Sequence, residues 1–370
     1  MDNKSILSTR LKERKSGFEL LRIIAMIMII AHHIAFFTDY KDNNLIPYRI
    51  WLRFILMGGK IAVNLFVLIT GYHSIQKQSI NTVKIVRLWL QVFSYSIIIY
   101  LIAAITGLTQ FSPKNILYAF LPTINSKWSF FTTYLLLVIL SPYINRMISS
   151  LGKRKIFGLL FLLGFIWSAI TTATGSAVGS NDLLWFIFLY SCGGYIRLYG
   201  VGLNWSAKKY LLTAVSVIMV TFALTLAMDY YPPTQSFSTT LYDNQSLFLL
   251  FISLLLFFGF SKIDIGSNYF INFVASLTFG IILIHTEASI QNTLWSTYTA
   301  YLPANNSFAA ILYSLAVLFL IFVVCALIEY IRLFHIERLF SPVIYFISDK
   351  ILAIAQFVEE SVTEEDNPTI

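Results

Sequence analysis

An all-α, polytopic integral membrane protein is the fold class this sequence predicts, on three observations. Of its 370 residues, 57% are hydrophobic and only 12% charged, where soluble domains carry about 25% charged residues. The mean hydropathy is +0.73. The apolar residues also fall in long continuous runs, which suits helices, and not in the alternation of membrane-barrel strands.

Ten apolar spans follow by window: 18–37, 54–75, 88–108, 128–148, 156–174, 183–199, 209–228, 244–260, 273–289 and 308–331. The fifth, sixth, eighth and ninth are short. With the N-terminus inside, the inner segments carry nineteen of the 26 Lys and Arg residues, and the outer segments carry Lys41, Arg49, Arg53, Lys60, Lys114 and Lys127. This is the positive-inside bias, and an odd number of spans would destroy it. Both termini are therefore expected in the cytoplasm, with residues 1–17 a basic leader, 18–331 the transmembrane domain and 332–370 a cytoplasmic segment. The net charge of +8 is accounted for by topology and anionic lipid, without nucleic acid. The leader precedes a run longer than a signal-peptide core and no small-residue cleavage site follows, so it reads as a retained anchor. Residues 332–354 read as a basic amphipathic helix on the cytoplasmic surface, and the acidic stretch from Glu359 as a disordered tail.

The first span holds the most telling residues. Arg22 and His33 are eleven positions apart, about 20° past three whole turns, so both share one helix face roughly 16 Å apart along the axis. An arginine at a helix centre costs about 2.5–3.5 kcal/mol to insert, which makes such a face a functional candidate. An ion pair with Glu19, one turn earlier, is the simpler role for Arg22. His32 points about 100° away from His33 and reads as a packing or solvent-facing residue. His73 lies near the inner end of the second span, where a local hydrogen bond would satisfy it. Cys192 and Cys325 form no framework and read as small buried residues. No HExxH, CxxC, Walker or GxSxG pattern is present, so no metal site is expected.

Three loops could touch a hydrophilic acceptor: 38–53 with Asp39, Lys41, Asp42, Asn43 and Asn44, then 229–243, then 290–307 with Gln291, Asn292, Trp295, Tyr298, Tyr301, Asn305 and Asn306. Aromatic faces with amides suit a sugar-binding rim, and an interfacial aromatic belt would look the same.

In sequence order, these motifs resemble the acyltransferase-3 family, ten-helix enzymes that O-acylate bacterial surface sugars. That family has an arginine, ten residues and a histidine in its first helix, matched by Arg22 and His33, with an acid at the position of Glu19. The stretch Gly59 to Tyr72 is similar to its glycine-valine, phenylalanine, serine-glycine-tyrosine segment, with Thr70 where serine is commoner and Asn64 where an acid is frequent. Trp128 to Pro142 and Leu277 to His285 resemble two further motifs. The resemblance implies a donor acyl-CoA, with acetyl the expected acyl group, docking from the cytoplasm on Arg22; Lys84 and Arg87, three apart on one helix face, could bind its phosphates or serve as positive-inside anchors. His33, Arg22 and Glu19 become the catalytic candidates. His285, Trp128 and Tyr134 become candidates for binding the acceptor, a glycan or lipid-linked sugar, while a hydrogen bond to a neighbouring helix would equally account for His285 and aromatic packing for Trp128 and Tyr134. The implied location is the bacterial cell membrane, among lipid.

An alcohol needs a general base before it attacks a thioester, and an imidazole in apolar surroundings stays neutral and able to take that proton. His33 as base, or as carrier of the acyl group, are both open; ping-pong kinetics separate them. With 39 residues after the last span, the chain is expected to work without an attached esterase-like domain. A glycan or lipid-linked sugar transporter is the alternative; it would show a repeat between the two halves, and none is evident. A scaffold would not need the Arg22 and His33 face.

Overall fold

The computed structural model describes residues 15–38, 45–123 and 128–365. Outside them fall the leader through Arg14, the loop residues Asp39, Lys41, Asp42, Asn43 and Asn44, and Lys127. The described residues are helical, without strands. We number the helices α1 (Ser16–Phe37), α2 (Ile46–Ser74), α3 (Thr82–Ile105), α4 (Pro113–Phe120), α5 (Ser129–Gly164), α6 (Asp182–Tyr199), α7 (Ala207–Tyr230), α8 (Leu247–Ser261), α9 (Tyr269–His285), α10 (Ala288–Ala300), α11 (Ser307–Ile331) and α12 (Glu337–Glu365). Helix α5 runs on through a π turn, Phe165–Ile170, to Thr174. Seven helical runs among the described residues are long and apolar enough to cross a membrane, or eight if α9 and α10 form one broken span bent by 86°.

Each of the ten expected spans coincides with a helical segment. The counts differ because 129–174 is one helical run holding two expected spans, because α6 is less apolar, and because α9, at 17 residues, is short by itself. The 129–174 run is two segments. Gly152, at φ 72° and ψ 166°, interrupts the helical backbone of α5, a conformation glycine tolerates without a Cβ clash. Before it, Asn145 donates to the carbonyls of Ser74 and Lys77 at the end of α2. After it, Lys153 lies 6.0 Å from the Tyr199 ring at the end of α6, and Thr172 then accepts from Leu247 N at the start of α8. The chain therefore reverses at Gly152.

The other ends alternate in the same way. Ser16 at the start of α1 bonds Asn272 (2.8 Å) and Asn268 N (2.7 Å) at the start of α9. Arg332 and Arg87 meet on Glu337, joining the end of α11 to the start of α3. At the opposite end Tyr48 reaches Tyr298 (2.6 Å) and Ser314 (3.2 Å), joining the starts of α2 and α11 through α10.

Helix α2 is central and packs on α1, α6, α8 and α11. Its crossing with α6 is close because of two glycines: a Cβ on Gly71 would overlap the Tyr190 carbonyl, and one on Gly193 the Leu68 carbonyl. Asn64, buried beneath, is satisfied by Trp185 Nε1 (3.0 Å) and the Asn244 carbonyl (3.0 Å), as a polar group in this core must be.

Four expectations need correction. Helix α2 begins at Ile46, not 54, so Arg49, Arg53 and Lys60 belong to it and not to an outer loop. Arg53 is 2% exposed, and its charge is met by Asp229 at 2.8 Å, by Ser238 and by the Tyr242 ring. The ninth span stops at His285. Residues 288–300 then form α10, capped by Glu287, with Trp295 and Tyr298 buried, so these two aromatics are core and not rim. The acidic stretch from Glu359 is helical as far as Glu365, because α12 carries on through it. That helix packs along α3, with Thr82 Oγ1 2.6 Å from Ser348 Oγ.

Candidate functional site

Arg22 projects from the second turn of α1, which the Ser16 bonds to α9 hold in place. Its Nη1 donates to both oxygens of Glu19, at 2.8 and 3.0 Å. Glu19 is 5% exposed. Among the described residues Arg22 makes no further hydrogen bond, so Nε and Nη2 stay available on a guanidinium that needs no change of charge to bind an anion.

That guanidinium lines a cavity of about 700 Å³. Helix ends that are distant in sequence close around it: Lys15 and Phe18 at the start of α1, His73 at the end of α2 and Lys77 just beyond it, Lys84 from the start of α3, Arg197 from α6 and Phe260 from α8. Five Lys and Arg side chains thus face one carboxylate, Glu19. Arg197 stacks over the Tyr72 ring at 5.1 Å and donates to its hydroxyl at 3.3 Å. Tyr72 in turn packs on Phe18 and Phe257. Thr70 and Tyr134 meet in the wall with their hydroxyls 3.2 Å apart. Lys77 lies in the loop after α2. The cavity walls and the neighbouring Lys84 lower its pKa below the usual lysine value.

His33 stands elsewhere on α1 and does not line this cavity. Its Nδ1 lies 3.0 Å from Nε2 of His285, the last residue of α9. His285 is 1% exposed, and its Nδ1 lies 2.6 Å from the Ile281 carbonyl one turn back. The Trp295 ring is 6.5 Å from His33 and stacks on Phe37 at 5.3 Å. His32 is turned away, with Nδ1 2.5 Å from the Leu56 carbonyl of α2 and its ring against Gly59. Next along α2 is Lys60, near enough for its charge to act on both His32 and His33. It has no hydrogen bond or ion pair among the described residues.

The sequence candidates therefore sort into groups. Arg22, Glu19, Lys84 and Tyr134 share the cavity, and His33 and His285 form a pair of their own. Arg87 lies outside the cavity lining, 3.1 Å from Glu337. Trp128 precedes α5 in the apolar cluster that contains Phe131, Tyr95 and Trp295. Arg197 and Lys77 are among the inner Lys and Arg of the positive-inside bias, and no local signal marks them as cavity residues. Lys60 had a signal, since an ammonium amid an apolar run is itself unusual.

Chemically, the cavity offers a cationic, aromatic-walled space for a phosphate-bearing ligand, and the histidine pair offers a proton acceptor inside the bundle. Among the described residues no group of three His, Cys, Asp or Glu side chains is arranged to hold a metal ion. Neither a curated protein nor a solved structure matches the chain. A family model does, described as an acyltransferase domain and covering residues 15–330. That span runs from the start of α1 to the end of α11 and takes in both groups of residues. The chain belongs to the acyltransferase-3 family and is a multi-pass membrane acyltransferase.

Proposed function

We propose that the protein transfers an acyl group, acetyl in the simplest case, from cytoplasmic acyl-CoA to a hydroxyl of a glycan or lipid-linked sugar in the bacterial cell membrane. The observation that carries this reading is the cavity at Arg22. Its cluster of cations suits the phosphates of the donor, and Phe18, Tyr72, Tyr134 and Phe260 supply apolar and aromatic wall. The positive-inside rule turns this Lys- and Arg-rich end of the bundle toward the cytoplasm, where acyl-CoA is found.

The cavity and the histidine pair occupy different levels of one helix, with Arg22 near the start of α1 and His33 near its end. A long donor held by its phosphates at Arg22 would extend its thioester toward His33, while the acceptor hydroxyl arrives from the far side. His33 takes the hydroxyl proton as the oxygen attacks the thioester carbonyl. The new ester C–O bond forms, the C–S bond breaks, and the proton passes to the departing thiolate. Lys60, next to the Gly59 that packs on His32, supplies a positive charge that would favour the oxyanion formed on the way.

The test is transfer of label from radioactive acetyl-CoA to an acceptor glycan in membranes holding the wild type, His33→Ala or Arg22→Ala. Label incorporation should be lost in the first variant and need more donor in the second. Transfer that survives both substitutions would overturn the assignment.

A further inference from the structure

We infer that His285 is a positioning residue that locks His33 into the tautomer with its bare nitrogen at Nε2. The inference rests on the reading of His33 as the general base, and it adds which atom of the ring does the work and what holds it there.

The argument is one of donors and acceptors. A carbonyl oxygen only accepts, so the 2.6 Å contact from His285 Nδ1 to the Ile281 oxygen requires a hydrogen on that nitrogen. A neutral imidazole has one N–H, which leaves His285 Nε2 as an acceptor. His33 Nδ1 lies 3.0 Å from that acceptor and must donate to it. In the neutral pair His33 therefore carries its proton on Nδ1 and has an open lone pair on Nε2. The hydrogen bond made by one ring nitrogen sets the state of the other. Here the chain of command begins at a backbone carbonyl of α9.

The arrangement also serves the step itself. When Nε2 gains a proton, Nδ1 keeps donating to His285, so no ring rotation is needed and the bond becomes charge-assisted. A neutral acceptor does this without placing a carboxylate in the apolar cluster of Ile284, Trp295 and Phe37, where an extra buried charge would be costly. The Trp295 and Phe37 rings, 6.5 and 6.1 Å from His33, limit its tilt.

The experiment combines spectroscopy with kinetics. Histidine labelled with 15N is incorporated into the full chain in lipid nanodiscs, and the His33 signals are assigned by their loss in His33→Gln. The spectrum should show a protonated Nδ1 and an unprotonated Nε2 on His33. In His285→Leu the tautomer should no longer be held, and kcat should fall by about 10²- to 10⁴-fold, the range of general-base catalysis, with the KM for acetyl-CoA unchanged. In His285→Gln the amide oxygen can stand in for Nε2 as acceptor, so the tautomer and most of kcat should return. A His33 ring protonated at Nε2 in the wild type overturns the inference, as does a His285→Leu protein with wild-type kcat. A His285→Gln protein as slow as His285→Leu, at unchanged donor KM, also overturns it. If the tautomer is as stated but His33→Ala still transfers acetyl, the positioning stands and the reading of His33 as base is what fails.

Discussion

His33 and His285 stand 252 residues apart in the sequence, yet their ring nitrogens meet at 3.0 Å where α1 passes the end of α9. Arg22, on the same helix as His33, instead joins a cavity built from the ends of five other segments. One helix thus serves two places, and separate kinetic constants should report on them.

Arg22 governs the donor constant. A hydrogen bond to a charged group contributes about 1.5–3 kcal/mol, so Arg22→Met should raise the KM for acyl-CoA roughly 10- to 100-fold and leave kcat less affected. The substitution also strands Glu19, so the double variant Glu19→Gln/Arg22→Met separates lost donor contact from a stranded carboxylate. If the double variant regained wild-type KM, Arg22 would be no more than a counter-ion for Glu19.

What the sequence made legible depended on whether the cause was local. The ten apolar segments were readable because each buries itself lengthwise in lipid or neighbours. The shared placement of Arg22 and His33 on one helix needed only helical periodicity. The start of α2 was obscured by Arg49, Arg53 and Lys60, since the partner that makes Arg53 tolerable is Asp229 on α7. Helix α10 was hidden because Trp295 and Tyr298 are spaced among Ser, Thr, Gln and Asn and find their core only against α1, α2 and α11. Arg87 looked equivalent to Lys84, one turn away on α3. Which of the two faces the cavity is decided by Glu337 of α12, a residue no local pattern connects to it.

Lys77 should make donor binding sensitive to alkaline pH. Its pKa is lowered, with burial against the cavity walls the larger cause and Lys84 the second, so its ammonium is lost at a lower pH than that of an ordinary lysine. Attraction for phosphate weakens as that proton leaves. The KM for acyl-CoA should therefore rise in the alkaline range below the usual lysine pKa. Arginine stays protonated there, so Lys77→Arg should flatten that rise. Identical KM profiles for the two proteins would take Lys77 out of donor binding.

Lys60 should act on kcat. It sits in the middle of α2 beside Gly59, which packs on His32, and its charge reaches His33. Removing one oxyanion-stabilising group costs about 10²- to 10³-fold in other acyl-transfer enzymes, so Lys60→Met should lower kcat on that order, with Lys60→Arg restoring part of it. Unchanged kcat in Lys60→Met would leave this lysine without a catalytic role.

Glu329 should be a matter of stability and not of chemistry. It is 1% exposed and accepts from Gln91 (3.0 Å), Tyr95 (2.6 Å) and Arg332 (2.8 Å to each oxygen). It therefore ties α3 to α11 at the point where α12 departs. Breaking a buried pair by removing one partner costs about 3–5 kcal/mol, because the other charge is stranded. Glu329→Leu should accordingly melt well below the wild type in detergent, leaving Arg332 with Glu337 alone. The paired variant Glu329→Leu/Arg332→Met removes both charges and should recover part of the loss, since two apolar side chains need no counter-ion. Donor KM measured below the melting point should match the wild type in both, because neither residue lines the Arg22 cavity. A paired variant no more stable than Glu329→Leu would show that the bonds to Gln91 and Tyr95, and not the guanidinium left with Glu337 alone, set the cost.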